Sequence, residues 1–338
     1  MVLIRNTGTL ASEVGVVAIS QFVNKRLLVG GSLSVTPMLS LYLITDEQKF
    51  VIGSIISISF FYMLITDPKT KKTLVAMLAT YAISIALFLF EKKQSPMALI
   101  LLISISFLPI LFRIFNLNKS TGMYASVSIL FFSIPISANQ ASNAVLDQNT
   151  VSILFAISAL PGIIVGILLS TSKTKKPERE YEKPSEIILE LLPLIISTTI
   201  CAAISTSISN YDVPMLMWSC IVVNSCKLEN SQKKIKERLI PGVLGIIIGY
   251  ILGILLKEFR FSLLISSYAT MLSLVALKNY SLGFFIRCVL FPVTVCALYQ
   301  DDHEIYMRLS EIFIGGGVSI SSVFLVTFFH KELARVTK

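Results

Sequence analysis

The chain has 338 residues, 54% apolar and 14% charged, with a formal net charge of +9 and a mean hydropathy of +0.78. Soluble domains carry about a quarter charged residues, so this composition excludes a soluble two-domain protein of that length. Apolar runs that approach or exceed the ~18 residues of a bilayer crossing make it a polytopic membrane protein. Its positive charge suits a cytoplasmic face against anionic headgroups and calls for no nucleic acid.

In chain order, residues 1–7 show no signal-peptide pattern. Residues 8–24 mix Leu10, Val14, Val16 and Val17 with Ser12, Glu13, Ser20 and Gln21. They read either as an interfacial helix or as a cytoplasmic extension of the first span. Spans are expected at 27–45, 50–66, 73–90, 97–115, 122–137 and 150–170, then at 186–207, 213–226, 239–256, 261–277, 282–299 and 309–329. Asp67-Pro68 ends the second, because proline cannot continue the backbone ladder. The eighth is short, with a broken start near Pro214. The polar segment 171–185, TSKTKKPEREYEKPS, separates an N-terminal half (1–170) from a C-terminal half (186–338).

Charge asymmetry sets the orientation. With the N-terminus inside, segments on that side hold 22 Lys and Arg residues and the outer segments 6. The positive-inside rule then places both termini in the cytoplasm. Six crossings return the chain to its starting side, so the two halves are parallel. Each half has a basic turn between its second and third spans, at 69–72 and 227–238. The expected fold is all-α, with about twelve transmembrane helices in two parallel six-helix halves. Transporters built this way keep their substrate sites near the interface of the repeats. Any even-numbered bundle gives the same count, so the repeat is the sharper of two readings.

Much chemistry is missing. There is no G-x-x-x-x-G-K-[ST], H-E-x-x-H or G-x-S-x-G pattern, so no enzyme is expected, and ATP-driven transport would need a separate partner. The five cysteines (201, 220, 226, 288, 296) lie in apolar spans without metal-ligand spacing, and His303 and His330 lie in polar segments. No metal site and no cofactor are expected.

The richest stretch runs from Trp218, the only tryptophan, to Gly253. After a basic loop come Arg238 and glycines at 242, 245, 249 and 253. The last three form two overlapping G-x-x-x-G steps on one helix face. There a second backbone can approach closely, the usual way membrane helices associate, and the motif names no function by itself. A tryptophan-bearing span, a basic loop, an Arg and closely spaced glycines resemble the core signature of the fusaric acid resistance-like superfamily. The matching residues are Trp218, Arg238, Gly242, Gly245 and Gly249. Arg308, Glu311 and Gly315-Gly316-Gly317 resemble that family's Arg-acid-glycine start of a later span.

The resemblance implies export of small, often aromatic, organic acids beside a periplasmic adaptor of the membrane-fusion type. Many relatives carry sizeable cytoplasmic domains, which this sequence lacks; it is similar to compact, transmembrane-only members. The expected partners are therefore a small organic anion, the lipid bilayer, the adaptor and a second copy of the chain. The alternative class is a non-transporting scaffold or envelope-assembly subunit.

A few in-span polar groups are candidates. Arg287 sits about five residues, or roughly 7–8 Å, into the eleventh span. It either snorkels to the surface or supplies counter-charge to an anion. Trp218 either packs or offers a stacking wall to an aromatic ligand. Asn224 either bonds across helices or touches the ligand. Glu186 and Glu190, four apart, read either as interfacial acids or as a site where one carries a proton or pairs with a base such as Arg238; Asp212 reads as a turn or cap residue. Glu304, Arg308 and Glu311 have the i,i+4 and i,i+3 spacing of local ion pairs.

Overall fold

The structure is a computed structural model. It describes residues 22–47, 49–67, 70–91, 96–115, 117, 119–141, 148–170, 184–207, 213–224, 231–259, 261–298 and 302–336. The segment at 8–24 (up to residue 21), most of the 171–185 linker, Asp212 and the 225–230 loop therefore lie outside the described residues.

Among the described residues thirteen helices follow in order: α1 Lys25–Thr45, α2 Lys49–Thr66, α3 Thr70–Glu91, α4 Pro96–Ile105, α5 Leu108–Ile114, α6 Lys119–Ala141 and α7 Gln148–Ser170, then α8 Pro184–Ser207, α9 Val213–Asn224, α10 Ser231–Leu256, α11 Ser262–Val275, α12 Tyr280–Leu298 and α13 Asp302–Val336. Among the described residues no strand forms. An isolated antiparallel bridge joins Val23 to Leu277, flanked by Asn24 N–H donating to Ala276 O and Lys278 N–H to Phe22 O, both at 2.8 Å. All-helical structure is what lipid requires, since helices satisfy their own backbone groups.

Among the described residues six helices are long and apolar enough to cross a membrane: Lys25–Thr45, Lys49–Thr66, Lys71–Leu89, Ser152–Ser170, Tyr280–Ala297 and Phe313–His330. They coincide with six of the twelve crossings expected from the sequence. The fourth expected span is a correction. It is not one helix: it turns at Ser106-Phe107 and restarts as α5, with a proline near its first position. Proline's fixed φ and missing N–H suit a helix start and break a helix interior. The eighth is short, as expected, and α9 has 12 residues, about 18 Å.

Packing explains which helix sits centrally. α2 is buried nearly all round, with Ile58, Phe61, Met63 and Leu64 at 0% exposure. It contacts α1, α3, α6, α7 and α11. The Gly162 backbone on α7 comes so close to Ser57 that an added Cβ would overlap the Ser57 carbonyl. On α2, buried Ser54 and Ser59 donate to carbonyls a turn earlier, Ser59 to Ile55 O at 2.7 Å, and Ser57 donates to Ser34 O on α1 at 2.7 Å, so these hydroxyls cost little in an apolar core. Before residue 171, α1–α2, α2–α7, α1–α7, α3–α6 and α5–α6 pack together; after 183, α8–α9, α9–α13, α8–α13, α10–α12 and α11–α12 do. Across that division α6 packs on α9, α11 on α1 and α2, and α4 on α8.

The glycines of α10 meet α12. An added Cβ at Gly245 would stand 2.6 Å from Cys288 Cβ, and at Gly253 2.6 Å from Cys296 Sγ. At Gly249 it would overlap the Val289 carbonyl. Gly242 faces only the Phe284 ring, at 3.1 Å. Arg238 falls on the same helix, one turn before Gly242.

Candidate functional site

A cavity of about 550 Å³ lies where helices from both sides of the 171–185 segment meet. α2 and α6 supply Val51, Ile55, Tyr62, Tyr124, Val127 and Phe131; α9 supplies Trp218. α11 and α12 close it with Met271, Leu274, Phe284, Arg287, Phe291 and Thr294. Lys278, on the turn between α11 and α12, lines it as well. The walls are apolar and aromatic, the composition of a small-molecule site. Among the described residues the lining includes two cations and no carboxylate.

Arg287 is half-buried and lines the cavity. One guanidinium N–H donates to Ser273 O at 3.0 Å, and the group lies 5.9 Å from the centre of the Phe284 ring. Among the described residues no carboxylate pairs with it. A guanidinium carries five N–H donors, so donors remain for a ligand. Gly283, four residues earlier, leaves room beside it: an added Cβ would sit 3.7 Å from its Nη1.

Trp218 both packs and lines the wall. Its ring stacks on Phe291 at 5.3 Å with planes 21° apart, and it meets Phe131 edge-on at 5.7 Å. Opposite, Tyr62 and Tyr124 lie 4.3 Å apart, and the Tyr124 hydroxyl donates to Leu274 O at 3.3 Å. Such ring pairs are worth ~0.5–1.5 kcal/mol beyond burial, and they hold the wall rigid.

Asn224 lies away from the cavity lining. It is buried, and its amide nitrogen donates to Ser197 Oγ on α8 at 2.8 Å, while its amide oxygen has no partner among the described residues. Glu311 is fully buried on α13.

The sequence reading missed the cavity's aromatic walls, because nothing in 21 phenylalanines and 11 tyrosines marks which ones face inward. It also missed that Cys201 and Cys220, on neighbouring helices, bring their sulfurs to 3.2 Å. Cys220 donates to Gly315 O on α13, so the pair belongs to the α8–α9–α13 packing. Among the described residues no group of three or more metal-binding side chains occurs.

Comparison with known proteins finds one family. Residues 200–322 match the model described as fusaric acid resistance protein-like, a little over a third of the chain. The matched region holds Trp218, Arg238, the four glycines and Arg287. No curated protein and no solved structure matches.

Proposed function

We propose that this multi-pass membrane protein, fusaric acid resistance protein-like over residues 200–322, exports organic anions, aromatic acids among them. The observation that carries the reading is the 550 Å³ cavity, where Arg287 and Lys278 line aromatic walls with no acidic lining residue among the described residues. An unpaired anion is costly in lipid, and a fixed cation lowers that cost. A scaffold would want a sealed core at this place, so the cavity favours transport.

The recurring pairs support two six-helix halves: α1–α2 with α8–α9, α2–α7 with α9–α13, α1–α7 with α8–α13, α3–α6 with α10–α12, and α5–α6 with α11–α12. The cavity sits between these halves, so their reciprocal tilting would open it to one side and then the other. In this reading the protein lies in a bacterial inner membrane, the proton gradient drives it, and a periplasmic adaptor receives the anion.

The test uses everted vesicles from cells expressing the chain. Labelled aromatic acid should accumulate inside when a proton gradient is applied, and an uncoupler should abolish the uptake. Uptake no greater than in vesicles from cells without the protein overturns the reading. The orientation has its own check: impermeant thiol labelling of single cysteines placed at Ser172 and Thr337 should find both on the cytoplasmic side. Opposite sides for the two would exclude an even number of crossings between them and remove the parallel halves.

A further inference from the structure

We infer that the cavity's ligand is a carboxylate on an apolar body of two or three rings, rather than a single-ring acid. This rests on the transport reading above and adds the size class. A cavity of about 150 Å³ holds one benzene ring. This one is about 550 Å³, inside the ~300–1,000 Å³ range that buries drug-sized ligands.

Its length agrees with its volume. On α12 the lining runs from Tyr280 to Thr294, about 21 Å at 1.5 Å per residue. Arg287 lies midway, so apolar wall extends about 10 Å to either side of the charge. A single ring held at Arg287 could touch the Phe284 side or the Trp218–Phe291 stack, leaving the rest of the wall without partner atoms. Dispersion contacts are then forfeited along most of the lining. A two- or three-ring body covers the stack and the Tyr62–Tyr124 pair together.

Trp218 is the only tryptophan, so its fluorescence reports on this cavity alone. The protein in lipid nanodiscs is titrated with benzoate, 2-naphthoate and 2-anthracenecarboxylate, and with the three corresponding amides. Empty nanodiscs give each compound's partition into lipid, which is subtracted. Binding of the acids should tighten by about tenfold per added ring, as buried apolar area predicts, and each acid should bind more tightly than its amide.

Benzoate binding as tightly as the larger acids overturns the size inference. If that binding is still lost in Arg287→Gln, the anion reading survives without it. A steep size series that is identical for acids and amides, and in Arg287→Gln, keeps the size class and overturns the anion reading. No quenching by any compound overturns both.

Discussion

Gly249→Leu should cost about 3 kcal/mol or more, the upper end of the ~1–3 kcal/mol typical of overpacking, and leave little folded protein in the membrane. The reason is what the new side chain meets. An added Cβ overlaps the Val289 carbonyl oxygen and lies 2.9 Å from its carbon and 3.0 Å from its Cα. All three are backbone atoms of α12, which cannot turn aside as a side chain can. The α10–α12 pair must separate, and close backbone approach is what holds such pairs together in lipid. Gly253→Leu meets a cysteine side chain, which can move in part, and should fall between. Gly317→Leu on α13 has nothing within 4 Å of the added Cβ and should melt like the parent. Melting in detergent and membrane yield of the three variants give the order; equal values for Gly249→Leu and Gly317→Leu would show that the glycine face meets lipid.

Arg287→Gln should lower efflux of an aromatic acid by about 30-fold or more while the protein still folds. Truncating one partner of a buried charge pair costs about 2–5 kcal/mol, much of it the penalty on the charge left alone. Folding should survive because Arg287's own contacts are one carbonyl and one ring, so the shorter glutamine forfeits one hydrogen bond. Arg287→Lys should keep part of the activity: the charge remains, but the planar fork that holds a carboxylate by two bonds is lost. Efflux assays at matched membrane levels read both. Full efflux by Arg287→Gln would leave the cavity without an anion-binding role for its central cation.

The order of helices was legible because apolar runs, prolines and charged turns mark the ends of membrane segments in any sequence. The break in the fourth span was also signalled, by Pro109, which falls where α5 begins. Trp218, Arg287 and the α10 glycines stood out because each is a rarity: one indole, one cation inside a span, one small-residue face. What sequence could not supply was neighbourhood. That Phe291 stacks on Trp218, that Tyr62 faces Tyr124, and that Ser197 receives the Asn224 amide all depend on which helices touch, and periodicity within one helix carries no record of its partner. Asn224 shows the limit best: a buried amide can meet a neighbour or a ligand with the same chemistry, and no pattern within α9 names Ser197 as the group its nitrogen reaches.

The central claim is that a fixed positive charge in this cavity holds an anion. Equilibrium binding of labelled 2-naphthoate and of its neutral amide, to the purified parent and to Arg287→Gln, tests it most directly. The parent should bind the acid at least about tenfold more tightly than the amide, a difference of about 1.4 kcal/mol, and Arg287→Gln should erase that preference while its melting temperature stays unchanged. Equal affinity of the parent for acid and amide would contradict the account.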